Sequence, residues 1–437
     1  MTNEPPPDDD NPFRGTPFEQ FFGGAPDLGQ IFSQLQAMMQ PYDGPLNWDA
    51  AIDMARKTVA QQPDPTPSQK QVDDVADAVR LADHWLDETT AFPSGVTSTA
   101  AWSRAEWIVG TTEVWKVLVE PIAASSVGAL SKALPAEAQG MGGPILAMLG
   151  KAIGAMLASQ VGSGLGALAG EVLTASDVGL PLGAPGRAAL VPANVTRFAE
   201  GLDVPESDVL LYLALREAAH QRLFAGVPWL RDHLIGAVTD YAQGVELNTG
   251  RIQESLEERL QGIDPTNPQA LQDLMDGGLF DLPQSPQQQA ALQRLEVALA
   301  LVEGWVDEVV GQATTERMPN AARLQEAVRR RRAAGGPAEE TFASLVGLEL
   351  RPRRLRDAST LWGSLRTRQG AEARDGVWMS PHLLPTDADL DDPLGFREGS
   401  DAPQQLTEDD FDAELRTLLE GGLGGTADGP SDAPDQE

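Results

Sequence analysis

Two side chains that could take part in zinc-assisted hydrolysis, Glu217 and His220, lie in the segment Leu210–Phe224. Apolar residues in this segment recur with the period of a helix, so the spacing predicts a helix here. Together with Arg216 they read Arg-Glu-Ala-Ala-His, which differs at its first residue from the pattern H-E-x-x-H. In that pattern two histidines on one helix face bind Zn²⁺, and the glutamate acts as general base on metal-bound water. The segment therefore keeps half of a zinc motif.

Arg216 changes the chemistry expected of this helix, because a guanidinium has no lone pair for a metal and stays protonated. The spacing R-E-x-x-H also occurs by chance in many helices, so it does not by itself establish a metal site. Cysteine is absent, and any metal site must therefore use histidines and carboxylates. No G-x-S-x-G sequence is present, which argues against a serine hydrolase of that type.

The composition predicts an all-α fold, or one nearly so. The chain has 437 residues, is rich in Ala and Leu, and shows little of the alternation typical of strands. Helices are expected over 68–89, 205–224, 231–244, 285–309, 321–332 and 351–366, and a helix with three tryptophans is expected from Thr99 to about Ala124. These elements predict one main helical domain over residues 45–395.

The net charge of −33 argues against a general nucleic-acid surface, which would need a basic footprint. The one basic concentration includes the run Arg329–Arg332. On so acidic a chain such a run is more typical of a solvated face or of internal partners for carboxylates, although an anion-binding patch is an alternative. We therefore expect no nucleic-acid partner.

Both ends of the chain predict disordered acidic segments. Residues 1–27 are rich in Pro, Asp and Gly, and residues 396–437 form an acidic tail with a short amphipathic helix near 407–420. The N-terminus lacks the basic and apolar regions of a secretory signal, which favours a cytoplasmic protein. No charged residue lies between Lys151 and Glu171, but Gly, Ala and Ser dominate this stretch. We expect a buried helix there and no membrane span.

Four segments together resemble one known family: 171–181, 213–224, 301–305 and 345–350. The chain is similar over roughly residues 45–395 to the zincin-like zinc-dependent metalloproteases and hydrolases of high-GC Gram-positive bacteria. It resembles the branch of this family with R-E-x-x-H in place of H-E-x-x-H. The resemblance implies a multi-helix zincin-like domain, a zinc cofactor and a hydrolytic activity.

Carried over by position, the resemblance implies that Glu217 is the general base, that His220 is a zinc ligand, and that Glu303 is a candidate third ligand. The two remaining positions, which hold histidine in relatives with the full motif, hold Arg216 and Trp305 here. Arg216 could then substitute for the metal, because its guanidinium would place a fixed cation beside the two carboxylates.

Two functional hypotheses follow from these residues. In the first, the metal centre is degenerate and the protein binds or scaffolds a protein or peptide partner that the sequence does not identify. In the second, the protein is an active zinc-dependent metallopeptidase or hydrolase whose ligands are His220, Glu303 and His233. His233 lies beyond a predicted turn after His220, so it could approach the same site.

Overall fold

The computed structural model of the chain describes residues 42, 44–133, 143–177, 179–246, 286–333 and 354–396. Within these ranges the protein is almost entirely helical, with one sheet of two short strands, which confirms the all-α class. The arm predicted over 1–27, the tail beyond residue 396 and its helix near 407–420 lie outside the described residues.

The described elements follow one another as a series of helices interrupted by two strands. In chain order they are α1 Trp48–Val59, α2 Gln69–Leu86, β1 Ser98–Ala101, α3 Arg104–Ala133, α4 Gly143–Glu171, β2 Arg187–Leu190, α5 Pro192–Ala199, α6 Glu206–Gly226, α7 Leu230–Glu246, α8 Pro286–Thr314, α9 Ala321–Ala333, α10 Leu355–Gln369, α11 Ala371–Gly376 and α12 Asp387–Asp391, with single 3₁₀ turns at Val377–Met379 and Pro381–Leu383.

Local signals explain where several helices begin. Ser68 caps α2 through a capping box with Gln71, in which each side chain meets the backbone N–H of the other residue. Asn47 accepts a hydrogen bond from the backbone N–H of Ala50 at the start of α1. Pro192 opens α5 at the first helical position, where its missing N–H leaves no bond unmade.

The sheet departs from the sequence expectation. Residues 98–101, where a helix was predicted to begin at Thr99, form β1 instead, and the helix starts at Arg104. β1 pairs in parallel with β2, with Ser98 opposite Arg187. An antiparallel bridge joins Thr174 to Leu190 on β2, so the segment after α4 runs along the sheet. The chain thereby brings Ser176 close to α6.

α6 lies at the centre of the described helices. Every residue from Tyr212 to Leu223 is buried, so this part of the helix has no solvent face. α2 packs on one side of it and α8 on another, and α10 covers α8. A helix buried on all sides must satisfy each of its polar side chains with an internal partner. The polar residues of α6 are therefore committed to contacts within the protein.

The stretch without charges forms α4, which packs against α1. Gly162 lets the two backbones approach closely: a Cβ atom added there would lie 2.3 Å from the carbonyl oxygen of Ala51. This contact accounts for the glycine at position 162. Among the described helices, none combines the length and the apolar character needed to span a bilayer.

Candidate functional site

α6 and α8 bring two pairs of polar side chains face to face. Arg216 and His220 are four residues apart on α6, and Glu303 and Asp307 are four apart on α8, so each pair shares one face of its helix. None of the four is more than 4% exposed to solvent. The two faces form a closed polar cluster inside an otherwise apolar contact.

Glu303 is the centre of this cluster. One carboxylate oxygen accepts a hydrogen bond from Arg216 Nη2, and the other accepts one from Arg332 Nη2 at 2.9 Å. His220 Nε2 lies 3.1 Å from that second oxygen. Burial alone raises the pKa of Glu303, but Arg332, His220 and Arg216 oppose it and hold the pKa at about 2. Glu303 is therefore an ionised carboxylate surrounded by cationic donors.

Both ring nitrogens of His220 face oxygen acceptors. Nδ1 lies 2.9 Å from the backbone carbonyl oxygen of Arg216, one helical turn earlier, and it donates to this oxygen. The contact between Nε2 and the ionised Glu303 is a hydrogen bond only when Nε2 also carries a proton. With Nδ1 as the donor, Nε2 is the nitrogen that would be unprotonated if His220 bound a zinc ion.

Asp307 binds the second edge of the Arg216 guanidinium only loosely. Its Oδ1 lies 3.9 Å from Arg216 Nη1, while its Oδ2 accepts from Ser359 Oγ at 2.8 Å and also from Arg329. Among the described residues, Asp307 Oδ1, Arg216 Nη1 and the Tyr212 hydroxyl have no hydrogen bond of normal geometry. Burial raises the pKa of Tyr212, so its hydroxyl remains protonated beside the guanidinium.

α9 supplies three further cations from the run Arg329–Arg332. Its fourth arginine, Arg330, is exposed and lies 3.6 Å from Glu326 of the same helix. The expectation that this run provides internal partners for carboxylates therefore holds for three of the four residues. The pairs are Arg329 with Asp307, Arg331 with Asp177 at 3.4 Å, and Arg332 with Glu303 at 2.9 Å and with Asp177 at 3.8 Å.

Glu217 faces a different neighbour from Arg216. Its carboxylate accepts from the backbone N–H of Ser176 at 3.1 Å and from Gln221 Nε2 at 2.9 Å. Burial raises the pKa of Glu217, because no cation is paired with it closely enough to offset the loss of water. The sequence hypothesis placed the guanidinium beside both glutamates, but the structure places Arg216 against Glu303 and not against Glu217.

Trp305 is directed away from the cluster. It lies two residues beyond Glu303, and such residues point to different sides of a helix. Its indole Nε1 donates to Asp375 Oδ1 at 2.9 Å, and the guanidinium of Arg374 lies 5.7 Å from its ring. Trp305 is fully buried in this separate contact. The two positions that lack histidine, 216 and 305, therefore belong to different environments.

His233 contacts other groups as well. On α7 its ring meets Trp229 edge to face at 5.4 Å, and burial lowers the pKa of His233 with help from the charge of Arg294. His84 and His382 are exposed. Among the described residues, no three His, Asp or Glu side chains form a group that could hold a metal ion. The structure thus brings His220 together with Glu303 but not with His233.

The residues present do not fit a zinc ion. The distance of 3.1 Å between His220 Nε2 and Glu303 Oε1 would suit two ligands of one metal. However, arginines bind both oxygens of Glu303, and a divalent ion would be placed among cations. A third protein ligand is also lacking among the described side chains.

Sequence reasoning missed Asp307 and Asp177, and it did not assign a carboxylate partner to each arginine of α9. Asp307 could have been found, because it lies one helical turn from Glu303 and must share its face. The partners of the arginines depend on how α9 packs against other helices, and a local sequence pattern does not predict that packing.

Comparison with known proteins gives a family and a fold. The sequence model of a family described as "Zincin-like metallopeptidase" matches residues 46–396. The chain is also similar to a crystal structure of a "putative hydrolase with a novel fold" from Chloroflexus aurantiacus, at 19% identity and a TM-score of 0.55. The likeness covers 80% of this chain and 96% of the other. Among curated proteins, none matches this chain.

Proposed function

The chain belongs to the zincin-like metallopeptidase family, and from this premise we propose that its centre is a metal-independent variant that serves binding rather than zinc-dependent hydrolysis. The proposal assigns Arg216 the role of a permanently attached cation. Glu303 and His220 keep the positions that zinc ligands would have. The domain then acts as a stable scaffold for a protein or peptide partner.

The observation that carries this proposal is the complete occupation of Glu303. Both of its oxygens accept from arginines, and His220 Nε2 lies 3.1 Å from one of these oxygens. A buried carboxylate without a compensating cation is strongly destabilising. A zinc ion would supply that compensation in a metallopeptidase. Arg216 and Arg332 supply this positive charge here, and unlike a metal ion they are covalently part of the chain.

The position of Glu217 supports the same conclusion. A general base must reach the water molecule that it activates, directly or through one other water. Both oxygens of Glu217 instead accept from Ser176 and Gln221, and Glu217 is fully buried. The side chain links α6 to the segment that follows α4, which is a structural role.

An active zinc hydrolase is the second candidate function. The distance of 3.1 Å between His220 Nε2 and Glu303 Oε1 favours it, because two ligands of one zinc ion have a similar spacing. This alternative requires Arg216 and Arg332 to leave Glu303, and His233 or another group to complete the ligand set. It makes a different prediction for metal content.

Metal analysis of the full chain, purified without chelator and then exposed to Zn²⁺, tests the proposal. We expect well below one zinc ion per chain, and the same value in a His220→Ala variant. An Arg216→His variant is the matched positive control, since it would direct two histidines at Glu303 and Asp307. Roughly one zinc ion per wild-type chain, lost in His220→Ala and accompanied by peptidase activity, would establish the second candidate instead.

A further inference from the structure

A groove runs over the surface between α2, α5 and the first turns of α6. Its volume is about 740 Å³, and it lies among side chains from all three helices. None of the residues of the buried cluster lines it. The groove is therefore a separate feature of the molecule.

The floor of the groove is apolar. Val75 and Val195 are buried beneath it, Leu210 and Leu211 are partly buried, and Leu81 at its edge is 42% exposed. A large aliphatic side chain with that exposure can lose more water-accessible surface on contact with a partner. The volume of the groove falls within the range of binding clefts.

The rim of the groove is acidic. Asp74 and Asp77 of α2 and Glu206 of α6 line it, and Lys70 is the one basic side chain in the lining. Lys70 lies 2.6 Å from Asp74. The hydrogen bond to Asp74 raises the pKa of Lys70, and the charge of Glu206 adds to this effect. The rim therefore favours a positive charge at the mouth of the groove.

We infer that this groove binds a basic amphipathic helix of a partner protein, with aliphatic side chains on the floor and lysine or arginine side chains at the rim. The inference rests on the binding role proposed above and gives that role a surface. Helices of this kind bind grooves through apolar residues spaced one turn apart. The pair Lys70–Asp74 at the rim and the pair of Asp77 with Arg80 beside the groove are exposed and weak, so a partner's cations can replace Lys70 and Arg80 there.

Charge decides between this occupant and the others. The chain has a net charge of −33, so a second copy would meet the rim with like charge. The segment 407–420 of this chain has an apolar pattern, but acidic residues greatly outnumber its single arginine. The segment 28–40 carries no charge and cannot pair with the carboxylates. A basic partner is the occupant whose charge matches the rim.

Fluorescence anisotropy with a defined probe tests the inference. The probe is a fluorescein-labelled peptide of about 18 residues with leucine on one helical face and lysine on the other, which is titrated with the full chain at roughly physiological salt. We expect Leu81→Gln to weaken its binding about tenfold, because the exchange removes an apolar contact without changing charge. Val117→Gln is the matched control, since Val117 is 49% exposed on α3, away from the groove.

Three outcomes would overturn the inference. Equal binding by the Leu81→Gln and Val117→Gln variants would mean that the peptide is attracted only by the acidic chain as a whole. Tighter binding of a peptide with glutamate in place of lysine would contradict the charge argument. A rise in affinity of about tenfold in a full-length Leu415→Gln or Ile31→Gln variant would show that a segment of this chain occupies the groove. None of these results depends on the zinc content of the protein. A negative result in the peptide-binding test therefore does not decide the outcome of the metal analysis.

Discussion

Replacing Arg216 by alanine is the sharpest perturbation of the buried cluster. The change removes one of the two arginines that bind Glu303 and leaves the carboxylate of Asp307 with one fewer neighbour. Glu303 keeps Arg332 and His220, so it remains partly compensated. The free energy of unfolding should fall because a buried charge has lost a partner and a cavity remains.

The magnitude follows from the ionisation of Glu303. Its pKa falls from 4.5 to about 2 in the folded protein, and this shift corresponds to about 3 kcal/mol of stability at neutral pH. Arg216 contributes part of this stability. The cavity that the substitution leaves and the lost contact with Asp307 add to the loss. We therefore expect Arg216→Ala to lower the free energy of unfolding by about 3–5 kcal/mol at pH 7, the range for breaking a buried ion pair.

The pH dependence gives the expected sign. A carboxylate with a lowered folded pKa stabilises the protein above its unfolded value of 4.5, and this contribution disappears as the pH falls through about 2. Without Arg216, the folded pKa of Glu303 should rise. The difference in stability between the wild type and Arg216→Ala should therefore be largest above pH 5 and should shrink as the pH falls toward 2.

Urea unfolding followed by tryptophan fluorescence at several pH values measures these differences. Arg330→Ala is the matched control, because Arg330 is exposed and its pair with Glu326 should contribute at most about 1 kcal/mol. Arg216→Lys, which keeps the charge but loses the planar fork, should be intermediate. A loss below 1 kcal/mol for Arg216→Ala, or a difference that does not change with pH, would refute the reasoning.

Two further variants test the assignments around the cluster. Because Glu217 has a raised folded pKa, it stabilises the fold fully only below its unfolded value of 4.5 and loses that contribution as the pH rises through the folded value. Glu217→Gln should thus be more stable than the wild type at pH 7 and equal to it below pH 4, as measured by urea unfolding. A lower stability at pH 7 would contradict the assignment. Trp305→Phe should lower the free energy of unfolding by about 1–3 kcal/mol, because Asp375 loses a buried hydrogen bond. Its zinc content should equal that of the wild type, and altered zinc uptake would instead place position 305 at the metal site.

Several elements could be predicted from the sequence because their signals are local. The capping box at Ser68, the proline that opens α5 and the long apolar period of α8 each fix the conformation of neighbouring residues. The position of Arg216 and His220 on one helix face follows from spacing alone. Spacing also shows that the side chains of Glu303 and Trp305 point to different sides of α8, since residues two apart on a helix do not share a face.

Other features depended on contacts between distant parts of the chain. β1 includes residues that the sequence pattern assigned to the start of a helix. They form a strand because their backbone groups bond to β2, almost ninety residues later in the chain. No local feature of the run Arg329–Arg332 predicts which carboxylates its side chains contact. Only the packing of α9 against α6 and α8 directs two of its guanidiniums to the buried carboxylates and a third to the partly buried Asp177.

The sequence by itself determined an all-α chain and the helix that carries Arg216, Glu217 and His220, because helix formation depends on the spacing and capping of neighbouring residues. Tertiary structure decided which of these side chains face one another. It placed Arg216 on Glu303, turned Glu217 toward Ser176, and kept His233 among other neighbours. The physical reason is that a buried charge must find its partner in space, and that partner is fixed by how helices cross rather than by the residues beside it in the chain.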